Sequence, residues 1–318
     1  MQSSTAPTSP TPPKKQSAGQ NWLLRLLLGF FCLFVTAYLG IAGFTANSLT
    51  TPGHRKLPNT PQTYNTAYEN ITFTARIDQT RISAWFIPAQ ASKKAIIFVH
   101  GKGQCRACEF SGVSTQLGVA LAQRGLNVLM LDLRGHGESG DGRFTFGLRE
   151  RRDVEGAVDW LEKRGFKPGQ LGLLGVSMGS ATSIGTTADE PAIGALVADS
   201  SYADFSSILE KEFPAASGLP SFFLPPALLI STFLTGENVQ NARPIDEIGK
   251  IAPRPILIIH AKDDGLIPLE HAKRLYAAAG SNAELWIIPG KKHVDTFPYD
   301  QKAYADRVAK FFEEKLAK

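Results

Sequence analysis

Residues Gly175-Val176-Ser177-Met178-Gly179 follow the apolar run 171–174 and precede a stretch, 180–188, with helical spacing. Strand, sharp turn and helix form the context in which a GxSxG pentapeptide presents its serine as a nucleophile elbow. The spacing has a steric reason. The serine is held in a strained backbone conformation, and a glycine two residues to either side lets strand and helix close around it. The hydroxyl then stands at the tip of the turn.

Working outward, short runs rich in Ile, Val and Leu recur at 95–99, 127–131, 171–174, 194–198, 256–259 and 285–288. Runs of this length suit strands buried on both faces of a parallel sheet. Between them, 114–124, 150–164, 177–188, 269–279 and 303–316 are apolar at steps of three and four, the period of helices with one buried face. Ahead of them, 70–77 and 81–87 alternate around Asp78-Gln79-Thr80 and predict a β-hairpin. Alternating strand and helix predicts an α/β, doubly wound, mostly parallel sheet, whose functional loops lie beyond the carboxyl ends of the strands.

That rule selects residues. The strand ends carry His100-Gly101-Lys102-Gly103, then Asp132-Leu133-Arg134-Gly135-His136-Gly137-Glu138-Ser139, then the serine turn. Further on come His260-Ala261-Lys262-Asp263-Asp264-Gly265-Leu266-Ile267-Pro268 and Pro289-Gly290-Lys291-Lys292-His293. A serine, an acid and a histidine fall at strand ends in the order Ser, Asp, His, which is the α/β-hydrolase order. With these motifs, the chain from about residue 95 to its end resembles α/β-hydrolases of the group containing serine aminopeptidase-like and acylglycerol lipase-like proteins. His260-Ala261 stands where such proteins often have HG. The resemblance implies the α/β-hydrolase fold, a serine hydrolase activity and an acid four residues before Pro268, which is Asp264.

A serine hydroxyl needs a base within hydrogen-bond reach, and the base needs a third group to fix its tautomer. Ser177, His293 and Asp264 are the candidates. Asp263 is expected to face solvent or cap the turn, Asp199 is a lesser alternative acid, and Asp295 is too close in sequence to His293 to orient it. The oxyanion of a tetrahedral intermediate needs preorganised donors, expected from the backbone N–H groups of Met178 and Lys102. The Lys102 ammonium reads as a solvated surface charge. His136 reads as a loop-packing residue, His100 and His260 as hydrogen-bonded structural residues, and His54 and His271 as surface positions. No HExxH or carboxylate cluster points to a metal, and no cofactor is expected.

Residues 1–21 are rich in Ser, Thr, Pro and Gln and read as a disordered tail. Residues 26–45 carry no charge over the length a helix needs to cross a bilayer core, so 22–46 is expected to be a single-pass transmembrane signal anchor. Lys14, Lys15 and Arg25 on its N-terminal side place the catalytic domain on the non-cytoplasmic side, although His54-Arg55-Lys56 follows it. A cleaved signal peptide is the competing reading, but the apolar run exceeds the usual h-region. Residues 47–67, with Pro52, Pro58 and Pro61, read as a linker to a hydrolase domain at 68–318. Within that domain, about 200–253 interrupts the strand pattern and reads as a lid.

Its aromatic and aliphatic content, 222–230 with Phe233, suits a hydrophobic acyl substrate or simple packing of the lid. A net charge of +5, scattered rather than gathered, argues against nucleic acid as a partner. Cys105 and Cys108 form a CxxC that a disulfide or two thiols would satisfy, depending on compartment. The expected function is a membrane-anchored serine hydrolase cleaving a carboxylic ester, thioester or amide through an acyl-enzyme. The alternatives are a peptidase or acyltransferase of the same fold, or a non-catalytic binding protein on it. Substrate identity and oligomeric state are left open.

Overall fold

A computed structural model describes residues 18–318. The expected tail, with Lys14 and Lys15, lies almost wholly outside the described residues. Among those described, the strands β1 (Glu69–Thr74), β2 (Arg81–Ile87), β3 (Ala95–Val99), β4 (Asn127–Leu131), β5 (Leu171–Val176), β6 (Ile193–Asp199), β7 (Ile256–Ala261) and β8 (Ala283–Ile288) form one sheet. Its order is β1-β2-β4-β3-β5-β6-β7-β8. The β1–β2 and β2–β4 pairs are antiparallel and the remaining pairs parallel. The expected hairpin is therefore the antiparallel edge of an otherwise parallel sheet.

Strand period explains how the runs of β3 to β7 bury both faces; the run at 285–288 does not, because β8 is an edge strand that leaves Ile287 41% exposed. In β3, Ala95, Ile97 and Val99 enter one apolar core while Ile96 and Phe98 enter the other. In β4, Leu129 and Leu131 divide from Val128 and Met130 in the same way. The first core is closed by α4 (Arg151–Lys163), α5 (Met178–Asp189) and α8 (Leu269–Ala279), and the second by α3 (Ser114–Gln123) and α10 (Gln301–Lys315). Two short helical turns, α2 (Glu109–Gly112) and α9 (Thr296–Tyr299), complete the loops above the sheet.

Between β6 and β7 the chain leaves the sheet to form α6 (Phe205–Ser217) and α7 (Leu224–Thr235), followed by short 3-10 turns. The carboxylate of Asp204 accepts the Ser207 N–H at 3.0 Å and caps α6, while Gly218 and Gly236 end α6 and α7 with φ of 71° each. This insertion makes a third apolar core with the N-terminal helix α1 (Ala18–Thr50): Ala42 and Ala46 pack with Phe213, Phe223, Leu224 and Ala227.

Helix α1 runs past the expected end of the apolar span at residue 46. No proline or glycine lies between residue 46 and Pro52, whose ring disfavours helix in the residue ahead of it. The segment beyond is fastened to the domain: the His54 ring bonds the Gly137 carbonyl at 3.0 Å, and the Asn59 amide donates to the Gly112 carbonyl at 3.1 Å. From Trp22 to Phe44 the same helix exposes a succession of large apolar side chains, including Phe30, Phe34 and Phe44.

Candidate active site

Ser177 lies between β5 and α5 with φ 54° and ψ −120°, a conformation that costs a non-glycine residue energy and persists because its surroundings impose it. Its N–H donates to the Asp199 carbonyl at 2.9 Å. The flanking glycines are required for close approach. A Cβ at Gly175 would meet the Gly179 carbonyl and the Ser183 hydroxyl, and one at Gly179 would meet the carbonyls of Val99 and His100.

The half-buried hydroxyl of Ser177 lies 2.8 Å from Nε2 of His293, and Nδ1 of His293 lies 2.7 Å from Oδ2 of Asp264. The other carboxylate oxygen of Asp264 accepts the N–H groups of Leu266 and Ile267, both at 2.9 Å. Burial pushes the Asp264 carboxyl up, but the hydrogen bond and charge of His293 and the Ile267 N–H outweigh it and hold the group below its ordinary range. With Asp264 accepting at Nδ1, the neutral ring carries its proton there and leaves Nε2 free to accept from the serine.

The competing acids are engaged elsewhere. Asp263 is exposed, and Asp295 accepts the Lys291 N–H at 3.1 Å. Asp199 is fully buried and accepts the hydroxyls of Thr296 at 2.6 Å, Tyr304 at 2.7 Å and Ser200 at 2.9 Å. Burial raises its carboxyl to about 6, against the pull of those three donors.

Among the histidines, His100 and His136 are buried, and burial lowers each to about 4. Nε2 of His100 accepts the Leu133 N–H at 3.0 Å, and Nε2 of His136 accepts the Gly103 N–H at 3.1 Å. His260 bonds the Ile267 carbonyl at 2.8 Å, bracing the turn that carries Asp264. His54 lies at the surface as expected, but His271 does not: it is buried, and its Nδ1 accepts the Ala203 N–H at 3.1 Å. The helical period of α8 faces this position inward, toward the loop after β6, which the sequence of α8 alone does not reveal.

Met178 is the first residue of α5, so its N–H has no carbonyl four residues back within the helix and is free to point outward. Lys102 occupies the turn after β3. Its side chain is exposed, as expected of a surface charge, but it leans over the mouth of a cavity, with the ammonium 5.2 Å from the ring centre of Phe144 and 5.4 Å from that of Phe146. Partial desolvation by the neighbouring rings and cavity wall lowers the Lys102 amine below its ordinary value. The cavity, about 550 Å³, is lined by Ser177, Met178 and His293 and by apolar groups of the lid such as Phe205, Ile208, Leu224 and Leu228. Ala46, Leu49 and Thr50 of α1 form part of its wall.

A buried carboxylate also stands behind the turn. Glu109, 2% exposed, accepts the Gly101 N–H at 2.5 Å. No motif spacing links Glu109 to His100-Gly101, so nothing in the sequence singles it out. The loop that presents it is closed by a Cys105–Cys108 disulfide and anchored by Arg106, which ion-pairs with buried Asp132 and with Glu138 and lies over the Trp85 ring. Removing one member of such a buried pair costs about 3–5 kcal/mol, because the other charge is left without a partner. The DxRGHGxS stretch therefore serves as scaffold: Asp132 holds Arg106, Arg134 pairs with buried Asp153, and Ser139 donates to the Asp132 carbonyl at 2.6 Å.

A family model described as serine aminopeptidase, S33, matches residues 90–225. The uncharacterized protein YfhR of Escherichia coli is 30% identical over 237 residues, which span 72% of this chain and 74% of that protein. The α/β-hydrolase domain-containing protein WAV2 of Arabidopsis thaliana is 28% identical over 280 residues, 83% of this chain and 84% of that protein. Among solved structures, the esterase Pf2001 of Pyrococcus furiosus aligns with a TM-score of 0.69 at 24% identity, covering 85% of this chain and 99% of that one, a likeness of fold.

Proposed function

The chain belongs to the α/β-hydrolase superfamily, and from that premise we propose that it is a serine hydrolase cleaving a carboxylic ester, thioester or amide through an acyl-enzyme. The observation that carries this reading is the continuous hydrogen-bond chain from Ser177 through His293 to Asp264, at 2.8 Å and 2.7 Å. Nε2 of His293 takes the Ser177 proton as Oγ attacks the acyl carbon. Asp264 holds the imidazolium that results. The oxyanion is received by the backbone N–H groups of Met178 and Lys102, preorganised by the start of α5 and by the turn that Glu109 secures. His293 then returns its proton to the leaving alcohol, thiol or amine, and water, deprotonated by the same nitrogen, releases the acid.

The apolar lining of the cavity favours an acyl ester among these substrates. The experiment is turnover of p-nitrophenyl esters of increasing acyl length. Each methylene buried contributes about 0.8 kcal/mol, about fourfold in kcat/KM, so the value should climb until the chain outgrows the cavity. A rate independent of acyl length would contradict an acyl site in this cavity.

Helix α1 reads as an uncleaved signal anchor. Cleavage after it would remove Ala46, Leu49 and Thr50 from the cavity wall. The Cys105–Cys108 disulfide favours a non-cytoplasmic, oxidising compartment for the domain.

A further inference from the structure

Residues Asn21–Thr50 of α1 form 30 residues of mean hydropathy 2.2 at its most apolar window. At 1.5 Å per residue such a helix is about 45 Å long, whereas a bilayer's hydrocarbon core is about 30 Å thick. The helix is therefore long enough to cross the core and still reach the α/β domain, which begins at its C-terminal end. There α7 lies against α1. The Tyr38 hydroxyl donates to the Phe222 carbonyl at 2.7 Å, its ring centre is 4.9 Å from that of Phe223, and Gly43 faces Ile230.

The outer side of this helix pair is apolar and uncovered. Phe44 is 76% exposed, Leu229 73% and Phe233 88%, and Phe222 stands beside them. Helix α7 contains no charged residue. These side chains lie on the same helix pair as the exposed apolar residues of α1, such as Phe30, Phe34 and Leu39. The inner side of the same pair bounds the cavity, through Ala46 and Leu49 of α1 and Leu224, Ala227 and Leu228 of α7. One wall separates the apolar exterior from the space in front of Ser177.

We propose that α7 is a membrane-embedded lid: together with the C-terminal end of α1 it sits in the leaflet nearest the domain. The cavity then admits the acyl chain of a membrane lipid ester or thioester from the bilayer between the two helices. This rests on the serine-hydrolase reading for the reaction and on α1 residing in the membrane for the geometry. A chain entering there passes from hydrocarbon to an apolar wall without crossing water, so its burial offers little hydrophobic gain. The site instead selects lipids by position.

The test uses the full chain in phosphatidylcholine vesicles. Leu229→Cys and Phe233→Cys, each in a Cys32→Ser background, are labelled with the fluorophore NBD, with Lys310→Cys on exposed α10 as the control. Blue-shifted emission at both lid positions, quenched by doxyl-labelled phosphatidylcholine while the control is not, is the expected result. Solvent-like, unquenched emission at the lid positions would overturn the proposal. So would shielding that is insensitive to the lipid quencher but grows with protein density, which would place a second copy on this face.

The functional arm uses a Leu229→Glu/Phe233→Glu variant, neither residue lining the cavity. Hydrolysis of soluble p-nitrophenyl acetate should stay within about twofold, while hydrolysis of a vesicle-embedded long-chain ester should fall about tenfold or more, as charges oppose insertion. Equal loss on both substrates would reduce α7 to an ordinary lid and overturn the proposal. A wild-type protein inactive on both substrates would instead overturn the hydrolase reading on which the substrate half depends, and the quenching result decides insertion by itself.

Discussion

The carboxylate of Glu109 accepts the backbone N–H of Gly101 at 2.5 Å from a fully buried position, fixing the turn whose next residue is Lys102. Burial raises its carboxyl to about 7 from an ordinary 4.5, against the pull of the Gly101 and Phe110 N–H groups and of His293. Between those values the folded protein keeps a proton that the unfolded chain has released. Stability therefore falls as pH rises across that window and levels off above it. Glu109→Gln keeps an acceptor for Gly101 and cannot ionise. Relative to wild type it should gain stability from about pH 4.5 to 7, by up to about 3 kcal/mol, as read from thermal midpoints in detergent. A difference that does not vary with pH would contradict a buried, titrating Glu109.

Adjacent acids allow a sharp contrast. Asp264 bonds Nδ1 of His293, whereas Asp263 is exposed and only its N–H is engaged, donating to the Gly290 carbonyl at 3.0 Å. Asp264→Asn should lower kcat by about 10⁴ through the wrong imidazole tautomer, and Asp263→Asn should leave it within about twofold. Comparable losses in both variants would remove Asp264 from the orienting role.

Lys102 carries two separable groups, a backbone N–H at the proposed oxyanion position and an ammonium over the Phe144 and Phe146 rings. Lys102→Met retains the first and deletes the second. Turnover of neutral short-chain esters should change by less than about threefold, well short of the 10² to 10³ lost with an oxyanion donor. A loss in that larger range would assign the ammonium, rather than the amide, to the oxyanion.

The sheet was legible because β3 to β7 are buried on both faces, which leaves uninterrupted apolar runs in the chain. The strand-end rule likewise gathers Ser177, Asp264 and His293, since each follows a strand directly. What the sequence withheld depends on tertiary neighbours. The direction of the Lys102 side chain is set by where Phe144 and Phe146 sit, and Glu109 reaches Gly101 only because Arg106, Asp132 and the disulfide fold its loop back. His271 turns inward because a distant loop supplies the Ala203 N–H. The end of α1 is ambiguous for a different reason: an apolar run reads the same whether lipid or a lid helix covers it, and here the lid covers one side.

The central claim is that Ser177 is an activated nucleophile. Its most direct test is labelling of the full-length protein with a fluorophosphonate probe, the modified peptide located by mass spectrometry, beside a Ser177→Ala variant. Modification at Ser177, lost in a variant of unchanged thermal midpoint whose ester turnover falls by about 10⁴ to 10⁶, is the predicted result. A folded wild-type protein that remains unlabelled, or a variant that labels and turns over as before, would contradict it.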